Sequence, residues 1–308
     1  MSERTTVEVA GQAVSVSNLD KSLYPEAGFT KAAVIDYYVK VADALLPHLH
    51  GRPLTMLRFP DGVDGERFFE KRCPDHRPDF VQTIELGGEG SGRRSGKRTR
   101  HCRIDDLPSL VWVANLASLE LHTSLGRGPD PSQPTMVVFD LDPGPPAGMV
   151  ECCQVALKLR KVFDRLGLVA RPKTSGSKGL QVYVPVNQPI DYDRTRAFAL
   201  SVGQLLERVD PEFVTTNMNK ELRPGRVFID WSQNHLTKTT VCVYSLRAKQ
   251  QPTVSTPVTW DEVSNAADHT GEGDPLRFVA SEVISRVQQH GDLFAEVLTV
   301  EQGLPVLS

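Results

Sequence analysis

The chain has 308 residues, with 35 Lys+Arg against 38 Asp+Glu and a formal net charge of −3, which excludes a uniformly basic, histone-like nucleic-acid binder. Hydrophobic residues at 40% and charged residues at 24% describe an ordinary globular protein, and 22 prolines with 23 glycines are too few for a fibrous or low-complexity chain. No stretch approaches the roughly 18 apolar residues of a membrane span, and the opening Met-Ser-Glu-Arg-Thr-Thr lacks an apolar signal core, so the expectation is a cytoplasmic protein without a membrane partner.

The pattern predicts two modules. The first, residues 1–130, opens with strand-like runs over 7–10 and 13–16 and a turn over 18–25 that ends at Pro25. A helix follows with Thr30 as N-cap, and Ala33, Ile35, Tyr38, Val41, Ala42 and Leu45 recur at helical spacing until Pro47 and Gly51. Short strands then alternate with loops, including a run over 67–72 and a Gly/Ser-rich segment over 87–96 that reads as a mobile surface loop. The second module, 131–308, reads strand (136–142), helix (149–166), strand (169–173), turn (174–178), strand (180–185), helix (194–209), then strands over 226–230 and 240–244. From Trp260 onward the pattern is helical and peripheral. Strands mixed with crossover helices predict an α/β (α+β) protein with helices packed on mixed sheets. The five cysteines, Cys73, Cys102, Cys152, Cys153 and Cys242, are odd in number and irregular in spacing. That suits a reducing compartment better than a disulfide framework, and most read as small core hydrophobes.

Met136-Val-Val-Phe-Asp140-Leu-Asp142-Pro143-Gly144 is the most informative segment. Period 2 puts both carboxylates on one face of a strand, about 7 Å apart at Cα. Two like charges beside a core need a cation or solvent to stay ionised together. Arg226-Val-Phe-Ile-Asp230-Trp-Ser-Gln-Asn234 ends a second apolar strand with aspartate. Three convergent carboxylates can bridge two Mg²⁺ or Mn²⁺ ions, and such hard ligands disfavour zinc. Between them, Thr174-Ser-Gly-Ser-Lys178-Gly-Leu leads a small-residue turn into a strand. That turn can offer backbone N–H groups and one lysine to phosphate oxygens, without the spacing of a Walker A loop. Each segment alone is also compatible with a polar strand end or an exposed hairpin; together they point to metal-assisted phosphoryl chemistry on a nucleotide.

Phe139-Asp-Leu-Asp-Pro-Gly, Thr174-Ser-Gly-Ser-Lys-Gly-Leu, Phe228-Ile-Asp-Trp-Ser-Gln-Asn, Lys238-Thr-Thr and Tyr244-Ser-Leu-Arg247 resemble the ordered motifs of the archaeo-eukaryotic primase superfamily. Among its branches they are most similar to the bacterial primase-polymerases related to the polymerase domain of the end-joining ligase LigD. The resemblance runs from about Asn18 to residue 295. It implies a primase-type core with an RRM-like catalytic module, and a template-dependent nucleotidyltransferase that favours ribonucleotides and works by two-metal phosphoryl transfer with Mn²⁺ or Mg²⁺. It implies Asp140, Asp142 and Asp230 as metal ligands and catalytic residues, and His122, Ser175, Lys178, Gln233, Lys238 and Arg247 as contacts of the incoming NTP or dNTP. In the first module it implies that Lys21 and Lys31 bind a downstream 5′-phosphate and that Phe68 and Phe69 stack on template. Read without the resemblance, the lysines are surface charge, the phenylalanines a buried pair and His122 a core histidine.

Gln181 departs from the family, whose members usually carry histidine there; glutamine can hydrogen-bond phosphate but cannot become a cation near neutral pH. The sequence contains no Lys-x-Asp-Gly adenylation motif, so a separate ATP-dependent DNA ligase is expected to seal the product, on gapped or broken DNA in the bacterial nucleoid, with Ku as a further partner. Excision repair and end joining both fit. The alternative is a weakly active or inactive DNA-end bridging module that recruits a ligase. Paired carboxylates for glycoside hydrolysis leave the serine-lysine turn without a role. Cys73, His76, His101 and Cys102 could also supply four zinc ligands, though not at a standard spacing. Arg93, Arg94, Lys97, Arg98, Arg100 and Arg103 concentrate six positive charges in one loop, leaving 29 basic against 38 acidic residues, or −9, elsewhere. Such a loop can track a DNA backbone.

Overall fold

The computed structural model describes residues 4–87 and 98–307. It is a mixed α/β structure with two compact units. One holds the residues up to Pro131 with Thr239–Ser255 and Phe278–Asp292; the other holds Ser132–Lys238, Thr256–Arg277 and the residues from Leu293 on.

In the first unit Arg4–Val9 and Gln12–Ser17 form a hairpin. Its two-residue loop needs positive φ at both positions, supplied by Ala10 at 49° and Gly11 at 78°. The predicted helix starts at Thr30, whose hydroxyl accepts from the Ala33 N–H at 3.3 Å. It is two helices, Lys31–Lys40 and Ala42–Leu49, because Val41 leaves helical geometry at φ −101°, ψ 5°. Leu107–Asn115, unassigned by periodicity, is a helix capped by the Asp106 carboxylate on the Ser109 N–H at 2.9 Å. Its run from Pro108 to Ala114 is buried all round, so it carries no amphipathic signal. An antiparallel sheet runs in the order Thr240–Val241, Ser118–Thr123, Leu54–Arg58, Thr99–Arg103, Gln82–Leu86, with Phe68–Glu70 also pairing Leu54–Arg58.

The five cysteines are not all unpaired core thiols, as their irregular spacing led one to expect. Cys73 and Cys102 form a disulfide, because the Cys73 N–H bonds to the Arg100 carbonyl at 2.8 Å and brings the two Cα atoms to 4.7 Å. Cys152, Cys153 and Cys242 are buried thiols, as expected of core hydrophobes. The disulfide also removes the zinc alternative: both sulfurs are spent, His76 is exposed, and His101 Nδ1 bonds to the Leu54 carbonyl at 3.1 Å. Arg93, Arg94 and Lys97, with the Gly/Ser-rich segment, fall largely outside the described residues. Arg98, Arg100 and Arg103 pair with Glu85, Asp75 and Asp105 respectively.

The second unit is built on a five-stranded sheet in the order Arg171–Thr174, Leu180–Pro185, Met136–Pro143, Val227–Asp230, Val214–Thr215, antiparallel except for its last pair. Phe139 packs against Phe163 at 5.1 Å and Phe198 at 6.3 Å between ring centres. Those rings come from the helices Met149–Arg165 and Tyr192–Val209. The strand predicted over 240–244 ends at Val241, and Tyr244 turns the chain at φ 62°. Beyond Trp260 lie three short helices, Trp260–Ala267, Ala280–His290 and Glu296–Thr299. They are not merely peripheral, since Val263, Val283 and Val297 are fully buried. No described helix is long and apolar enough to cross a membrane.

Candidate active site

Because Phe139 points to the helices, the alternation of the strand turns Asp140 and Asp142 to the opposite face. Antiparallel register sets Asp140 directly across from Asp230 on one side and from Gln181 on the other. Asp140, Asp142 and Asp230 each offer a carboxylate oxygen, and the three atoms lie within 4.8 Å of one another.

The electrostatics show what this arrangement costs. Burial first, then the neighbouring Asp142 and Asp230 carboxylates, push the Asp140 carboxyl up to about 7, against the pull of Gln181 and Lys173. Asp142 is likewise raised by burial and by Asp230, with Arg223 opposing. Three hard oxygen donors that repel one another this strongly fit a divalent cation of the Mg²⁺ or Mn²⁺ type.

The supporting contacts are specific. Asp230 caps the short helix Trp231–Gln233, its Oδ1 accepting from the Ser232 N–H at 3.0 Å and the Ser232 hydroxyl at 2.5 Å. Its Oδ2 accepts from Gln233 Nε2 at 2.8 Å. Gln233 therefore engages the carboxylate. Buried Asn234 staples this helix to the acidic strand, exchanging two bonds with the Val138 backbone at 2.8 and 2.9 Å. Gln181 is 3% exposed and faces the triad. Its amide donates to Asp140 Oδ1 at 3.0 Å while its carbonyl accepts from Lys173 Nζ at 2.5 Å. Lys173, itself 1% exposed, also lies 5.5 Å from the Tyr183 ring centre.

The turn after Lys173 is closed internally: Ser175 Oγ accepts from the N–H groups of Ser177 and Gly179 at 3.2 and 3.1 Å, which leaves Lys178 exposed. Lys238 is exposed as well, following Lys238 N–H donation to the His235 carbonyl at 3.0 Å. Gly179 sits so close to the acidic strand that an added Cβ would collide with the Leu141 carbonyl oxygen. Gly179→Ala is therefore expected to cost about 3 kcal/mol of stability and to displace the segment between Asp140 and Asp142. Chemical denaturation together with a nucleotide-incorporation assay checks both.

The first unit holds the remaining residues expected of a site. His122 Nε2 meets Glu120 Oε2 at 2.8 Å, and Arg247 Nε meets Glu120 Oε1 at 3.2 Å. Phe68 and Phe69 are 45% and 55% exposed, not a buried pair. The Phe69 ring stands edge-on to His122 at 6.4 Å, with Lys71 5.5 Å from its centre. Lys21 pairs with Asp61 at 2.6 Å and lines a cavity of about 650 Å³ with Ser17, Asn18 and Asp20. Lys31 is buried and donates to the Ser17 carbonyl at 2.8 Å. Burial, then the charges of Lys21 and Arg58, lowers its ammonium to about 8. Sequence reasoning gave no role to Lys173, Glu120, Ser232 or Asn234. Lys173 stands in the polar run Arg171-Pro-Lys-Thr174, where no local pattern marks it; Glu120 and Ser232 contact residues two positions away, and the partner of Asn234 lies on a distant strand.

The family model of the LigD primase-polymerase domain matches residues 30–294. The multifunctional non-homologous end joining protein LigD of Mycolicibacterium smegmatis is 43% identical over 284 residues, covering 92% of this chain and 36% of that protein. The bifunctional LigD of Bacillus subtilis is 31% identical over 291 residues, covering 94% of this chain and 45% of the relative. This chain thus spans less than half the length of either. The polymerase domain from Mycobacterium tuberculosis Ligase D, solved in complex with DNA, superposes with a TM-score of 0.85 at 38% identity, covering 94% of this chain and 99% of that one.

Proposed function

This chain belongs to the LigD primase-polymerase domain family, and from that premise we propose that it is a template-dependent nucleotidyltransferase that fills short gaps or extends broken ends in DNA repair. The observation that carries the reading is the convergence of the Asp140, Asp142 and Asp230 oxygens within 4.8 Å on one sheet face. Those three residues would hold divalent cations, Mn²⁺ or Mg²⁺. Bound there, such ions supply activation of a hydroxyl for in-line attack and neutralisation of the triphosphate.

The chain's own residues orient the site. Ser232 and Gln233 aim the Asp230 carboxylate, and Gln181 aims that of Asp140. Ser175, Lys178, Gln233 and Lys238 in the second unit, and His122 and Arg247 in the first, are assigned to the incoming nucleotide, with ribonucleotides favoured. Phe68 and Phe69, exposed on their strand, suit stacking on template bases without reading sequence. The cavity lined by Lys21 and Ser17, with Lys31 bonded to the Ser17 carbonyl, suits a 5′-phosphate at the far side of a gap through the lysine charge. ATP-dependent DNA ligase activity would seal the product, in excision repair or, with Ku, in end joining.

The test is extension of a primer across short gaps bearing a downstream 5′-phosphate or 5′-hydroxyl, with NTPs and dNTPs supplied separately. Extension is expected to be about tenfold more efficient with the phosphate, and Lys21→Ala or Lys31→Met is expected to erase the difference. Equal extension on both gaps would remove the 5′-phosphate role. No incorporation by the wild-type protein with any metal would leave DNA-end bridging as the function.

A further inference from the structure

Glu120 sits between two residues assigned above to the nucleotide, yet has no role of its own in that assignment. It lies on the strand Ser118–Thr123, two residues before His122, and is 4% exposed. Both of its oxygens are engaged. Oε2 meets His122 Nε2 at 2.8 Å, while Oε1 meets Arg247 Nε at 3.2 Å and accepts from the Ala248 N–H at 3.0 Å. The far side of Arg247 is held through its backbone: its carbonyl accepts from the Tyr24 hydroxyl at 3.1 Å and its N–H donates to the Thr253 carbonyl at 2.7 Å.

We infer that Glu120 is a positioning residue that fixes His122 as its Nε2–H tautomer and ties it to Arg247, so that the two side chains meet a nucleotide as one preorganised unit. The tautomer follows from charge. Burial alone would raise the Glu120 carboxyl, but the His122 hydrogen bond, the Arg247 charge and the Ala248 amide hold it at about 2. An ionised carboxylate only accepts, so His122 Nε2 must carry the proton. In the neutral ring Nδ1 is then an acceptor, defined before any ligand arrives. The Phe69 ring stands edge-on to the imidazole, with 6.4 Å between ring centres.

The inference rests on the nucleotide role proposed for His122 and Arg247, and the experiment separates the two. In the full-length protein, ¹⁵N shifts of His122 are expected to report the Nε2–H tautomer in wild type and to lose that preference in Glu120→Gln, a change of one atom. With ATP as the incoming nucleotide opposite thymine, Glu120→Gln is expected to raise KM about tenfold with a smaller change in kcat. Combined with His122→Ala, it should add far less than it does alone. An Nδ1–H tautomer in wild type, or strictly additive effects in the double variant, would overturn the positioning role. Unchanged KM in His122→Ala and Arg247→Ala, with the tautomer still set by Glu120, would instead overturn the nucleotide assignment and leave the positioning role standing.

Discussion

Asp140→Asn is expected to abolish primer extension while stabilising the metal-free protein at neutral pH. The two effects have opposite signs and a common cause. Activity should fall by about three orders of magnitude or more, since several kcal/mol of charge stabilisation at the reacting phosphate depend on the cation site, at about 1.4 kcal/mol per decade. Stability should rise because the folded state holds the Asp140 carboxyl at about 7, through burial and the Asp142 and Asp230 charges. A carboxyl raised on folding contributes stability that is fully present below about pH 4, its unfolded range, and is lost as pH rises through about 7. Metal-free wild type should therefore melt at progressively lower temperature between those limits, and Asp140→Asn should flatten that decline. Adding Mn²⁺ should raise the wild-type melting temperature at pH 7.5 and leave the variant nearly unmoved. Asp230→Asn should lose activity equally but gain less stability, because its carboxylate also caps Trp231–Gln233. A wild-type melting temperature independent of pH and of Mn²⁺ would refute the cation-site reading. So would an Asp140→Asn protein that extends primers normally.

How much of this could be read from the sequence depended on whether the interaction was local. Two aspartates at i and i+2 must share a strand face, and the apolar runs before Asp140 and Asp230 identified both as strand ends; their pairing across the sheet needed only register. Thr30 declared its helix because a cap acts within one turn. Where partners are far apart in sequence, residue type misled. Phe68 and Phe69 look like core, yet the short strand Phe68–Glu70 leaves both rings exposed. Cys73 and Cys102 look like two of five unpaired thiols, yet the Cys73 backbone bonds to Arg100 on the strand that carries Cys102, and their Cα atoms lie 4.7 Å apart. Gln181 looks like a weakened phosphate ligand at a histidine position. What residue type leaves unread is its register, which sets it across from Asp140 and Lys173.

Lys173→Met should be the most damaging single change outside the carboxylates, and pH should control how damaging. The Lys173 ammonium is 1% exposed and donates to the Gln181 carbonyl at 2.5 Å, which aims the other end of that amide at Asp140. An amide oriented this way has no alternative: its oxygen must face the cation and its NH₂ the anion. Methionine keeps the volume but removes the charge that opposes the rise of the Asp140 carboxyl, and takes the ammonium from the Gln181 oxygen. Removing one member of a buried ionic network costs about 3–5 kcal/mol. That deficit should be largest at pH 8, where the uncompensated carboxylates are most ionised, and should shrink toward pH 5 as Asp140 takes up a proton. Lys173→Met combined with Asp140→Asn should recover much of the lost stability, because the charge that needed an opposite is gone. Urea denaturation of the four proteins at pH 5 and pH 8 measures this directly. A Lys173→Met deficit equal at both pH values, or additive with Asp140→Asn, would show that the lysine acts through packing against Tyr183 alone and that Asp140 is not electrostatically coupled to it.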